Sequence, residues 1–314
     1  MPVSAFLASI PSPHNGVVDV GPLSIHMYGL MLLAGIAACL WLTGIRWVHL
    51  ERWSAWVRAH GGPAPASRDW DLIFRVAVWG VGAGIVGARL YHDVTSWNQD
   101  SAIHAHWYGP FAIWQGGLGV WGGILFGVLM GAWIVHRAGH SVLLMMDVVA
   151  PGLLLAQAIG RWGNWWNQEL FGKPTSLPWG LEIDNAHLPP AYAAGTHFHP
   201  TFLYEFVYDL IGVALLLWLG RRFRIRPPAL FALYVSFYCF GRFFEELLRI
   251  DPSHEFLGLR INAWVSIVVF AASTGFFVWW QFLRKPKEGA RTQPQHPPSG
   301  PTMAVPKGRV RHQR

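Results

Sequence analysis

Seven stretches of the chain, each about 20 mostly apolar residues, are long enough to cross a bilayer's hydrocarbon core as helices. They cover residues 23–45, 70–91, 111–135, 143–160, 201–219, 229–248 and 261–283. A backbone in lipid has to satisfy its own hydrogen bonds, and a helix does so within one segment. The expected fold is therefore all-α, a polytopic integral membrane protein with seven transmembrane helices. Composition agrees: 53% of the 314 residues are hydrophobic and 13% charged, against about 25% charged in soluble domains. That balance excludes a disordered chain and an ordinary soluble enzyme.

Loop arginines and lysines set the orientation. One set of loops, together with residues 284–314, holds 17 of them, including Arg46, Arg52, Arg58, Arg68, Arg137 and Arg221. The opposite loops hold four: Arg161, Lys173, Arg249 and Arg260. The N-terminus is expected outside and the C-terminus in the cytoplasm. No basic segment precedes the first span, so no cleaved signal peptide is expected. The chain divides into a membrane domain, 1–283, with an outer loop at 161–200, and a basic tail, 284–314. The tail is rich in Pro, Gln, Lys and Arg and is expected to be disordered. It carries the whole net charge of +7, which leaves a neutral body and no nucleic-acid footprint. The two cysteines, Cys39 and Cys239, lie in apolar runs and read as small buried hydrophobes. Ile36-Ala37-Ala38-Cys39 looks like a lipoprotein cleavage box, but the apolar run continues through Leu42 and six more spans follow.

Ionisable groups inside spans are costly, and each is a functional hypothesis weighed against a structural ion pair. The spans contain Arg75, Arg89, Asp147, Glu205, Asp209, Arg242, Glu245 and Glu246, with Arg161, Glu169 and Arg249 at span ends. Nearly all fall in the outer halves, where His26, Tyr28, Asn164 and Asn167 also lie. Independent structural pairs would not sort this way. Asp147, near an inner end, is the exception and reads as structural. Arg242, Glu246 and Arg249 follow i, i+4 and i+7 spacing, one face of a helix. Arg161, Asn164 and Gln168 follow i, i+3 and i+7, provided that helix extends so far. Arginine's planar fork binds phosphate in bidentate fashion and stays charged at any depth. The pattern points to a bound anion at the outer interface, such as a phospholipid headgroup.

The glycines in 116–123 admit two readings. They allow close helix packing, or they expose backbone N–H groups to an anion. Gly80, Gly82, Gly84 and Gly87 read as packing. His104-x-His106 and His197-x-His199 lack partners at metal-site spacing, so neither a metal nor a cofactor is expected.

The stretch Gly160-Arg161-Trp162-Gly163-Asn164-Trp165-Trp166-Asn167-Gln168-Glu169-Leu170-Phe171-Gly172 resembles the G-R-x-G-N-x-x-N-x-E-x-x-G signature of the prolipoprotein diacylglyceryl transferase family. His26-Met27-Tyr28-Gly29-Leu30, Gly87-Ala88-Arg89-Leu90, His199-Pro200-Thr201-Phe202-Leu203-Tyr204-Glu205 and Arg242-Phe243-Phe244-Glu245-Glu246-Leu247-Leu248-Arg249 match further family segments. The resemblance covers about residues 20–283. It implies an enzyme that moves the diacylglyceryl group of phosphatidylglycerol onto the lipobox cysteine of a preprolipoprotein signal peptide. The product is a thioether, and glycerol phosphate leaves. It also implies the bacterial cytoplasmic membrane, with the active site toward the outer leaflet.

On that resemblance, Arg161 and Arg242 are expected to clamp the phosphate. Tyr28, Asn164 and Asn167 would orient headgroup oxygens, and Glu246 would hold Arg242. Gly172 fits a sharp turn or a close backbone approach. Glu169, His199, Tyr204, Glu205, Arg89 and Arg249 are expected around the substrate. One position departs from the pattern. The family's glycine segment reads G-G-x-x-x-H-G-G, and here Trp121 stands in the histidine's place. Tryptophan cannot accept a proton, so Trp121 reads as a lipid or headgroup contact. The base is left open among His26, His199, Glu205 and a thiolate activated electrostatically near Arg161. A transporter is the rival class, but it would want polar groups at the midplane and internal repeats. A nonenzymatic lipid-binding scaffold would keep the arginines without needing a cleft open to a peptide thiol.

Overall fold

The computed structural model describes residues 9–21, 23–49, 70–98, 100–113 and 116–284. The tail beyond Arg284, together with Arg52, Arg58 and Arg68, lies outside the described residues.

Among the described residues there are seven long helices: α1 Met27–Val48, α2 Trp70–Ser96, α4 Val120–Arg137, α5 Val142–Trp166, α6 Thr201–Arg222, α7 Ala229–Leu248 and α8 Ile261–Val278. α3, Ala102–Ala105, is a single turn between α2 and α4. Three antiparallel ribbons complete the fold: β1 Val17–Val20 with β2 Leu23–His26, β3 Leu181–Glu182 with β4 His197–Phe198, and β5 Glu255–Phe256 with β6 Leu259–Arg260. The protein is mostly helical and polytopic. Six of the long helices are apolar and long enough to cross a membrane. α7 is excluded by composition, because Arg242, Glu245 and Glu246 fall within it. Both glutamates are buried, so its charge points into the bundle.

Small residues bring the helices together, as membrane packing favours. α2 meets α4 through Gly80, Gly84 and Gly87 against Gly127, Gly123 and Gly122. A Cβ on Gly122 would overlap the Gly87 carbonyl. Gly82 faces open space, so the packing reading holds for three of its four glycines. α1 meets α5 where Gly35 lies against Ala156 and Gly152 lies against Cys39 and Thr43. The outward faces stay apolar, with Leu33, Trp41, Val78, Val128 and Val268 all exposed. Such a surface suits lipid rather than water.

Asp147 on α5 behaves as the sequence suggested. α7 follows Pro228, which offers no capping side chain. Asp147 Oδ1 instead accepts from the Phe231 backbone N–H at 2.9 Å, so one helix caps the next.

Several boundaries differ from those expected. The first span begins as strand, with His26 paired to Val17. The third helix starts at Val120 because Gly116 and Gly117 adopt φ of 86° and 67°. α5 runs to Trp166, past the expected end at 160. It stops short of Gln168, whose φ is 49°. The 161–200 loop folds on itself around Phe171, Leu181 and Phe198. Ile10 bonds to Gly180 and Glu182, stitching the segment before α1 onto this loop.

Candidate functional site

The end of the bundle where α5 and α7 finish and α6 begins holds a chain of buried ion pairs. Arg161 on α5 places Nη2 2.6 Å from Glu205 Oε1 on α6. Arg242 on α7 places Nη1 2.5 Å from Glu245 Oε2 and 3.8 Å from Glu205 Oε2. Its Nη2 donates to Glu246 Oε1. Glu246 also meets Arg249 Nη1 at 3.7 Å and Arg260 Nε at 2.8 Å. Arg249 and Arg260 converge on Asp251, with Arg249 Nε 2.6 Å from Oδ1 and Arg260 Nη2 2.7 Å from Oδ2. Burial pushes the Asp251 carboxyl up. Its hydrogen bonds to Arg249 and Arg260, with their positive charge, outweigh that and hold it below its ordinary value.

The local backbone explains this convergence. Arg242, Glu245 and Glu246 share one α7 face at i, i+3 and i+4. Arg249 caps that helix in extended conformation, so it lies just beyond the helical face on which spacing had placed it. The β5–β6 hairpin turns through Leu257 and Gly258, both at positive φ. Glycine adopts that geometry freely, and the turn returns Arg260 to Glu246. One helical turn along α6 from Glu205, Asp209 is fully buried, and neither oxygen has a hydrogen-bond partner. It lies within electrostatic reach of Arg161 and Glu245.

The signature residues border this chain. Asn164 is buried on α5, and its Nδ2 donates to Glu169 Oε1 at 3.0 Å. Asn167 Nδ2 donates to the same oxygen at 3.4 Å. Tyr28, 42% exposed, lays its ring over Gly163, where a Cβ would meet Tyr28 Cδ2 at 2.6 Å. Gly172 is a close-approach glycine: a Cβ there would lie 2.8 Å from His199 Cβ and 3.3 Å from the Leu248 carbonyl. Gln168 leaves the expected Arg161 face. It donates to Pro13 O and Asp184 Oδ2, both at 2.8 Å. Bonds from Gln168 and then His14 hold the Asp184 carboxyl below its usual value.

Other expected residues stand elsewhere. Arg89 is buried and taken up by its own loop. Its nitrogens donate to Pro110 O, Gly116 O, Gly117 O and Gly109 O at 2.6–3.3 Å, and Nε lies 3.1 Å from Asp93 Oδ1. Five protein acceptors thus surround the guanidinium. Within the glycine run, Gly116 and Gly117 turn their carbonyls toward Arg89. His26 is exposed at the end of β2, and Trp121 is 59% exposed at the start of α4. His199 Nδ1 lies 3.1 Å from Tyr204 Oη, which accepts from Trp179 Nε1 at 3.1 Å. That chain joins the 161–200 loop to the first turn of α6.

Sequence spacing missed two members of the ion-pair chain. Asp251 lies in a loop and has no helical periodicity. Arg260 is 14 residues beyond Glu246 and reaches it only through the hairpin. Glu245 had a usable signal, its i+3 spacing from Arg242.

The architecture is that of a polytopic helical membrane protein with a buried arginine–carboxylate centre at one end. A family model described as prolipoprotein diacylglyceryl transferase matches residues 15–279. Three bacterial relatives each carry the name phosphatidylglycerol–prolipoprotein diacylglyceryl transferase. That of Streptomyces griseus subsp. griseus is 46% identical over 274 residues, 87% of this chain and 78% of the relative. That of Bifidobacterium adolescentis is 42% identical over 295 residues, 90% of this chain and 83% of the relative. That of Cutibacterium acnes is 46% identical over 265 residues, 84% of each chain. The chain belongs to the prolipoprotein diacylglyceryl transferase family and is a transferase.

Proposed function

We propose that this protein transfers the diacylglyceryl group of phosphatidylglycerol to the lipobox cysteine of preprolipoprotein signal peptides. A thioether forms and glycerol phosphate leaves, the first step of bacterial lipoprotein maturation. The observation that carries the reading is the meeting of Arg161 and Arg242 at Glu205, on three different helices. Two guanidiniums there match the charge that develops on a departing phosphate. Their forks are held by carboxylates, so phosphate binding exchanges those partners for lipid oxygens. Glu246 anchors Arg242 from the far side during that exchange. Asn164, Asn167 and Tyr28 border the centre and orient headgroup oxygens.

In this reading all seven long helices span the cytoplasmic membrane, and α7 spans because its charges face inward. The N-terminus is outside, the C-terminus cytoplasmic, and the centre lies toward the outer leaflet. The loop arginine and lysine asymmetry supports that orientation. The membrane domain and basic tail remain the two-part organisation.

Proteoliposomes with phosphatidylglycerol labelled in both an acyl chain and the headgroup glycerol test the reaction. With a lipobox peptide, the acyl label should move to the peptide while equal headgroup label appears as glycerol phosphate. A Cys→Ser peptide should stay unlabelled. Acyl transfer without headgroup release would contradict the reaction.

A further inference from the structure

We propose that Glu205 and Glu245 share one proton and that this carboxyl pair is the proton acceptor for the attacking cysteine thiol. The inference rests on the transfer reaction proposed above.

Glu205 comes from α6 and Glu245 from α7, both are buried, and one guanidinium nitrogen serves both. Arg242 Nη1 faces both, at 2.5 Å from Glu245 Oε2 and 3.8 Å from Glu205 Oε2. Three carboxylates, Glu205, Glu245 and Glu246, crowd the one Arg242 guanidinium, whose single positive charge offsets one of them. Two buried like charges in contact do not both ionise. The surrounding charge leads the same way. Arg161 faces the pair from α5, Asp209 lies one turn along α6, and Tyr238, Arg242 and Glu246 come from α7 with Arg249 just beyond. Including Arg260 and Asp251, four guanidiniums stand among five carboxyl groups. A phosphate anion entering that set is accommodated only with a carboxyl group protonated.

A shared proton fits the balance of the reaction. The thiol S–H bond breaks and its proton passes to the ionised carboxylate of the pair. The sulfur forms a bond to the lipid glycerol carbon as the carbon–oxygen bond to phosphate breaks. The departing phosphate oxygen takes the electron pair, and the pair's other proton goes to that oxygen. The pair ends as it began, with one proton, and the total charge is unchanged. Among the described residues, His26 is exposed on β2, His199 is engaged with Tyr204, and Trp121 only donates.

The test compares two lipobox peptides, one with cysteine and one with selenocysteine, in proteoliposomes of the full-length protein with phosphatidylglycerol. A selenol is ionised at neutral pH and needs no base, whereas removing a general base slows a thiol by about 10²–10⁴-fold. Glu205→Gln and Glu245→Gln should each raise the selenocysteine-to-cysteine rate ratio by about 100-fold over the wild-type ratio. Glu205→Asp, which keeps a carboxyl group, should return the ratio toward wild type. Because each ratio is taken within one variant, it does not depend on how much of that variant folds. Loss of both peptides to the same extent, with no change in ratio, overturns the inference. A wild-type protein that labels neither peptide overturns the transfer reaction itself, and the inference with it.

Discussion

Arg161 Nη2 lies 2.6 Å from Glu205 Oε1, joining the C-terminal part of α5 to the first turns of α6. That contact uses one edge of a planar fork that also matches phosphate. Lysine keeps the charge but loses the fork. Arg161→Lys should lower kcat/KM for peptide lipidation by about 10²-fold, in the range of losing one preorganised donor to developing charge. Its melting temperature in detergent should stay near wild type. Steady-state kinetics on the purified variant check this.

Arg89 makes a contrasting prediction. Its guanidinium holds four loop carbonyls and Asp93, so its removal acts on the fold. Arg89→Ala should destabilise the protein by about 3–5 kcal/mol, since a buried carboxylate loses its partner. Hydrogen exchange should rise in residues 109–113 and at Gly116 and Gly117. Unchanged protection of that segment would contradict the assignment.

The α2–α4 seam is tested by adding one methyl group. Gly122→Ala drives a Cβ to 2.2 Å from the Gly87 carbonyl oxygen, so the two helices must shift apart. Overpacking of this kind costs about 1–3 kcal/mol. Gly82→Ala, which meets nothing within 4 Å, should be neutral or slightly stabilising. Thermal unfolding of both variants in one detergent gives the comparison.

Asp251 carries a pH dependence whose sign follows from its depressed pKa. A carboxyl group held below its unfolded value, about 3.9, stabilises the native state above that value. The stabilisation is lost as pH falls through the folded pKa. Asp251→Asn should lower the melting temperature at neutral pH. The gap to wild type should narrow below about pH 3.9, because the wild-type carboxyl is then being neutralised as well. A gap that persists undiminished in acid would contradict the Arg249–Asp251–Arg260 staple.

Apolar length made the helices readable, and the outer crowding of arginines and carboxylates made the centre readable. α7 shows where hydropathy stops being informative. The side chains that disqualify it as a lipid-facing span, Arg242, Glu245 and Glu246, face the bundle interior. The start of α4 was misread because Gly116 and Gly117 are as apolar as the helix that follows. Their positive φ and their carbonyl bonds to Arg89 are tertiary facts. Asp251 and Arg260 join the centre through a hairpin, and no local periodicity reports such a contact. Arg89 had the same sequence credentials as Arg161, an arginine near the end of an apolar span. The loop carbonyls around it are tertiary contacts that no spacing reports.

The most direct test of the central claim is lipidation of a lipobox peptide from phosphatidylglycerol by Arg161→Ala and Arg242→Ala, in proteoliposomes with verified insertion. If these two guanidiniums receive the lipid phosphate, each variant should insert and label no peptide while the wild type labels it. Full activity in either variant would contradict the phosphate clamp.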